Sequence, residues 1–326
     1  MKLTKLAIGL ASIAIVASAC SSSATTAPSG GAASADRSGI SIEVVTHGQA
    51  SDPFWSIFKN GVEQAGKDMG VKVNYSAPDT FDMVKMGQLI DAACAKKPSG
   101  LVISLPDAVA LGPSVTKCVQ AGIPVISANS GSDAYAKLGI LTHVGQDEAI
   151  AGNAAGVRMK DAGGKNAICV NQEVGNAGLD ARCNGFKDGF APGKMTVLQV
   201  DLKDPTTAQQ KIAAAITADP TIDTVMALGP TGSTPTIAAL KQLNNTKIKV
   251  GTFDLSKDVL SAIKDGSMLF AVDQQQYLQG YLPIVFETLY TLYGLMPGGG
   301  QPILTGPGIV DKTNVDTVIA NTGTTR

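Results

Sequence analysis

The stretch Ile40–Gly70, ISIEVVTHGQASDPFWSIFKNGVEQAGKDMG, decides the fold. Ile40 to Thr46 alternates and is rich in β-branched residues, the pattern of a strand. From Pro53 the apolar residues Phe54, Phe58, Val62, Ala65 and Met69 recur at helical spacing, and Gly70 stands where a left-handed residue ends a helix. Between strand and helix lies Thr46-His47-Gly48-Gln49-Ala50-Ser51-Asp52, a polar loop. This is one βα step of a parallel sheet.

The step repeats along the chain. Val71–Tyr75 reads as strand, Phe81–Lys96 as helix, Leu101–Leu105 as strand, Pro113–Gln120 as helix and Val125–Ala128 as strand. A second series runs through Ala167–Val170, Thr196–Leu202, Thr224–Leu228 and Ile248–Thr252, each strand followed by a helix. Strand starts near 40, 71, 101 and 124 are spaced like those near 166, 195, 224 and 248. The expected fold is therefore α/β, with two similar Rossmann-like lobes in tandem, each a parallel sheet flanked by helices.

Three segments link the lobes. Gly139–His143 reads as a strand leading into Gln146-Asp147, where Asp147 can cap the next helix. Leu269–Val272 ends in Asp273-Gln274-Gln275-Gln276, and the helix Tyr277–Tyr293 then returns to the first lobe. A third crossing is expected near Ile303. The lobes are thus 39–146 plus 275–303 and 147–274 plus 304–326, and such a hinge lets them shut on a ligand.

Before the first lobe, Lys2 and Lys5 precede an apolar run, Leu6–Val16, and Ala17-Ser18-Ala19 leads into Cys20. That order is an export signal's, over residues 1–20. The cysteine after small residues resembles a bacterial lipobox, with Ala17 where leucine is usual, and implies lipidation of Cys20. Residues 21–38, mostly Ser, Ala, Thr and Gly, have the composition of a flexible tether. The protein is expected outside the cytoplasm, held to the cell membrane by lipid alone. Tyr281–Leu292 contains Pro283 and Glu287 and is too short for a span.

A formal net charge of −1 with scattered Lys and Arg argues against nucleic acid as a partner. Cys94, Cys118, Cys169 and Cys183 remain in an oxidising compartment, where three pairings are open. Their placement on the expected elements favours Cys169–Cys183 and Cys94–Cys118; the alternative is four small buried hydrophobes. The cysteine spacings match no zinc pattern, and His47 and His143 are the only histidines, so no metal or other cofactor is expected.

In a parallel sheet a ligand sits beyond the carboxyl ends of the strands. The first such loop carries His47, Asp52, Phe54 and Trp55, a carboxylate with two aromatic rings, the combination that hydroxyl groups and C–H faces of sugars require. Asn129-Ser130 follows the fourth strand. In the second lobe Asn171 ends a strand, Arg182 lies on the next helix, Gly229-Pro230 follows the third strand and Phe253-Asp254 the fourth. Local readings stand beside these: Asn171 shaping a turn, Arg182 pairing with Asp180, Asp254 capping a helix.

With this loop chemistry and the doubled rhythm, the segment from Ile40 to about Asp311 resembles the periplasmic sugar-binding proteins of ribose type. The resemblance implies the type I periplasmic binding fold and binding residues Asp52, Phe54, Trp55, Asn129, Ser130, Arg182, Asp254 and Gln274. It also implies a monomer that delivers a small neutral sugar or sugar alcohol to an ABC permease driven by a cytoplasmic ATPase. Ribose-type members have Asp-Arg where Asn129-Ser130 stands, and the Gly229-Pro230-Thr231-Gly232 loop looks closer to the autoinducer-2 binders. The expected ligand is a four- to five-carbon polyol or pentose, and the alternative role is a quorum-signal receptor component.

Enzymatic readings are weaker. Gly61–Asp68 approximates a phosphate-binding loop but lies inside a helix and has Asp68 where a metal-holding hydroxyl belongs. His47 has no nucleophile with an orienting acid near it in sequence. The chain is expected to bind, with no catalytic residues. Repressors that share this fold carry a DNA-binding segment where the signal and tether stand here.

Overall fold

The computed structural model describes residues 36–48, 52–201 and 203–326. The first sheet is laid down by β1 (Ser41–Val45), α1 (Pro53–Met69), β2 (Lys72–Ser76), α2 (Met83–Ala95), β3 (Gly100–Ile103), α3 (Ala108–Gln120), β4 (Val125–Asn129) and β5 (Thr142–Gly145). Asp52 starts α1 by accepting the Phe54 N–H at 2.9 Å, Pro53 occupies its first turn, and Gly70 closes it at φ 65°. Phe54, Phe58, Val62 and Ala65 then bury one stripe of the helix against β1.

The chain next builds α4 (Glu148–Asp161), β6 (Asn166–Asn171), α5 (Ala177–Phe190), β7 (Lys194–Gln199), α6 (Pro205–Ala218), β8 (Thr224–Ala227), α7 (Pro230–Gln242), β9 (Lys249–Phe253), α8 (Lys257–Asp265) and β10 (Phe270–Asp273). It ends with α9 (Gln276–Tyr293), β11 (Ile303–Leu304), β12 (Gly308–Asp311) and α10 (Val315–Ile319). The two sheets run β11-β5-β4-β3-β1-β2 and β12-β10-β9-β8-β6-β7. Every pairing is parallel except β10 with β12. This is the two-lobed α/β architecture expected from the strand–helix rhythm.

Two helix pairs are brought unusually close by glycine. A Cβ on Gly152 of α4 would lie 2.2 Å from the Arg182 carbonyl oxygen, and one on Gly185 of α5 would lie 2.2 Å from that of Ala149. The α4 and α5 backbones therefore touch, which sets Arg182 beside Glu148. Gly61 and Gly280 do the same for α1 and α9.

Three segments cross between the sheets, and Thr305 joins them. Its N–H donates to the Gly145 carbonyl at 2.7 Å, its hydroxyl to the Gln274 carbonyl at 2.7 Å, and its own carbonyl accepts from the Gln275 side chain at 2.6 Å. Thr305, on the third crossing, thus bonds the backbone of the other two.

Several local expectations shift. Leu304, assigned to the second lobe, pairs with Gly145 in the first sheet. The strand read as Gly139–His143 begins only at Thr142, because Tyr135–Leu138 forms a 3-10 turn closed by Gly139 at φ 74°. The helix read from Pro113 starts at Ala108, capped by Asp107, and β7 runs Lys194–Gln199 rather than to Leu202. Cys169 and Cys183 are joined, with Cα atoms 6.0 Å apart, but Cys94 and Cys118 are free thiols. Both lie in the apolar cluster between α2, α3 and their sheet, where they pack as small hydrophobes. Burial first, then neighbouring Cys94, pushes the Cys118 thiol well up, so it stays protonated. Cys20 lies outside the described residues.

Candidate functional site

The carboxyl ends of β1, β4, β6, β8 and β9 converge on a chamber between the lobes with roughly 400 Å³ of atom-free space. His47, Asp52, Phe54, Trp55, Asn129 and Ser130 of the first lobe line it. Arg182, Pro230, Asp254 and Gln274 line it from the second lobe and its hinge. Asn171 does not. Its Oδ1 accepts the Glu173 N–H at 3.0 Å and its Nδ2 donates to Asp180 at 3.1 Å, so both ends of the amide are used to shape the turn.

Arg182 organises the second-lobe wall. Its Nε and Nη2 donate to the two Glu148 carboxylate oxygens at 2.6 and 2.9 Å, and Nη1 donates to the Leu228 carbonyl at 3.0 Å. The same Nη1 is 3.7 Å from Asp254 Oδ2, and the guanidinium lies 4.5 Å from the Phe253 ring centroid. Burial opposes its charge, but Glu148, then Asp254 and Glu173, hold its pKa above the usual range. Asp180, a possible partner on sequence grounds, bonds Asn171 instead.

Asp254 ends β9 at φ 64°, a left-handed conformation that Asp tolerates better than most residues. Its Oδ1 accepts from Gln274 Nε2 at 2.6 Å, while Ser256 caps α8. Gln274 Oε1 in turn accepts from Asn129 Nδ2 at 3.3 Å and from Gln279 Nε2 at 2.9 Å. Asn129, also left-handed at φ 66°, receives the Ser130 hydroxyl at 2.8 Å. One amide chain therefore ties the second-lobe carboxylate to the first lobe through the hinge.

The first-lobe lining is partly aromatic. Phe54 and Trp55 meet edge to face at 4.9 Å and are both nearly buried, so they line the chamber and anchor the first-lobe core at once. His47 packs edge-on to Trp55 at 4.7 Å.

Glu148, Gln172, Glu173 and Asn176 also line the chamber and were not singled out from the sequence. Glu148 directly follows the capping Asp147 and reads as an ordinary first-turn acid. Gln172 and Glu173 directly follow Asn171, so the strand-end rule points to the right loop but the side chains that reach the chamber come one and two residues later.

Four carboxyls, Asp52, Glu148, Glu173 and Asp254, and one guanidinium line the chamber. Burial raises Asp254 to about 7 against the pull of Arg182 and Gln274, and raises Glu173 to about 7 and Asp52 to about 6. Burial in the chamber thus favours the protonated forms of Asp254, Glu173 and Asp52. Hydroxyls that donate to Asp254 favour its ionised form, so ligand lowers its pKa and releases a proton. Affinity is then full above about pH 7 and weakens roughly tenfold by pH 6. Calorimetry near pH 6.5 in buffers of different ionisation enthalpy should show proton release; a buffer-independent heat and flat affinity would contradict this electrostatic account.

Two Rossmann-like lobes, joined by three crossings and closed on a polar chamber, have the form of a solute-binding protein. The family model for the periplasmic binding protein domain matches residues 42–286. The chain belongs to that family, in its ribose type. It is 25% identical over 238 residues to the ribose import binding protein of Haemophilus influenzae, covering 72% of this chain and 80% of the relative. It is 24% identical over 260 residues to the xylose/arabinose-binding protein of Sulfolobus acidocaldarius, covering 74% of this chain and 64% of that longer relative. A carbohydrate transporter from Acidothermus cellulolyticus, solved in complex with myo-inositol, superposes with a TM-score of 0.83 at 37% identity, over 86% of this chain and 97% of that one. Sugar-binding proteins of this kind are the solute-binding components of ABC importers. Among the described residues no cluster of three or more His, Cys, Asp or Glu could hold a metal ion, and no helix is long and apolar enough to cross a membrane.

Proposed function

We propose that this protein captures a small neutral polyhydroxyl ring, a pentose or a cyclitol, for an ABC importer. One observation supports the reading: Asp254, Asn129, Arg182 and Gln274 line the same chamber as Phe54 and Trp55. Equatorial hydroxyls are satisfied by the first set and the ring's C–H face by the second. The relatives support this, since one is named for xylose and arabinose and another was solved with myo-inositol. The protein acts as a monomer that closes on its ligand and presents it to a permease coupled to a cytoplasmic ATPase. Cys20 carries the lipid that holds it at the outer face of the membrane, and Cys20→Ser should release it to the soluble fraction.

Trp55 is the only tryptophan, so its fluorescence reports the chamber directly. Titration of the form lacking residues 1–38 with pentoses, pentitols, tetritols, myo-inositol, hexoses and autoinducer-2 should show saturation by a pentose or cyclitol in the micromolar range or tighter. Saturation by autoinducer-2 alone would make the protein a signal receptor, and silence across the panel in calorimetry would sink the carbohydrate reading.

A further inference from the structure

At the mouth of the chamber the loop before α5 meets the first lobe in two places. The Ala177 N–H, the first of α5, donates to the Pro106 carbonyl between β3 and α3 at 3.0 Å. A helix leaves its first N–H groups without internal partners, and here the other lobe supplies one. Beside it, Glu173 Oε2 lies 3.7 Å from Nε2 of His47.

Ser104 Oγ accepts the His47 backbone N–H at 2.9 Å and lies 2.7 Å from His47 Nδ1. In the tautomer in which the Ser104 hydroxyl donates to Nδ1, Nε2 carries the ring hydrogen and faces Glu173. Burial, and then Arg182, keep the ring neutral by lowering its pKa to about 3. Glu173 is held by Asn176 Nδ2 at 2.6 Å, and Asn176 caps α5 through the Gly178 N–H at 2.9 Å. Both contacts to the first lobe therefore issue from one rigid turn. Glu173 and Gln172 also face an outer basin of roughly 760 Å³ beside Phe81, so this turn is the wall between chamber and basin.

We infer that the turn Gln172–Ala177 is an interlobe latch, in which Ala177 and Glu173 act as positioning residues that hold the lobes shut through Pro106 and His47. The latch sets how long a captured ligand stays, not which ligand is taken. It rests on the solute-binding reading above.

Ala177→Pro removes the N–H and puts the ring Cδ where that hydrogen pointed at the Pro106 carbonyl, so the contact cannot form with the lobes fully shut. Proline is tolerated at the first helical position, and Asn176 is already extended at ψ 106°. Stopped-flow Trp55 fluorescence with myo-inositol, D-xylose and L-arabinose should show koff raised roughly fivefold for every ligand that binds, with kon unchanged and the ligand ranking preserved. Ser104→Ala, which removes the hydroxyl that bonds His47, should also raise koff and serves if the proline variant does not fold. Unchanged koff, or a change in ranking, would overturn the latch and leave the functional reading intact. Absence of binding by the wild-type protein to any member of the panel would remove that reading and the latch with it.

Discussion

Replacing Asp254 with asparagine should weaken ligand binding at least about a hundredfold while leaving the fold in place. On the proposed reading the buried Asp254 carboxylate accepts hydroxyls of the ligand, and charge-assisted hydrogen bonds of this kind contribute about 1.5–3 kcal/mol each. Asparagine keeps the left-handed backbone at φ 64° and one acceptor oxygen but loses the charge that faces Arg182. Asp254→Ala should bind no ligand measurably and should also melt lower, because alanine is disfavoured at that backbone angle. Calorimetry with the ligand identified by the Trp55 titration, together with a thermal melt of each variant, separates the two effects. Wild-type affinity in the asparagine variant would place ligand recognition elsewhere in the chamber.

Gly185→Ala should destabilise the protein by about 3 kcal/mol or more, although glycine to alanine inside a helix ordinarily stabilises by about 1 kcal/mol. The added methyl would stand 2.2 Å from the Ala149 carbonyl oxygen, a backbone atom that can yield only if α4 and α5 move apart. Separation also draws Arg182 away from Glu148, so ligand affinity should fall with stability. Gly87→Ala in α2 is the control. Its Cβ would meet nothing nearer than the Ser114 hydroxyl at 3.6 Å, so the helix-propensity gain should appear undiminished. Urea denaturation of the two variants measures the contrast, and equal effects would mean that the α4–α5 contact is looser than its geometry indicates.

What could be read from the amino-acid order alone was the local grammar. Alternation in Ile40–Thr46, the helical stripe from Phe54 to Met69 and their recurrence determine a doubled α/β fold, because backbone periodicity and burial of one face are properties of neighbours in the chain. The strand-end rule then brings His47, Asp52 and Asn129 to one end of the first sheet and Asp254 to the corresponding end of the second, since the parallel strands of a sheet all point their carboxyl ends the same way.

Tertiary structure decided which of these groups meet and in what state. Glu148 and Arg182 are 34 residues apart and form a bidentate pair only because glycines let their helices touch. Asn171 has the residue type of a ligand group, yet its amide is consumed by Asp180 and the Glu173 N–H, while Glu173 beside it reaches the chamber and His47. Cys94 and Cys118 have the count and compartment of a disulfide and pack as separate thiols, whereas Cys169 and Cys183 bond. Pairing, burial and protonation depend on distances in space between side chains, and a pattern that is local along the chain carries no measure of them.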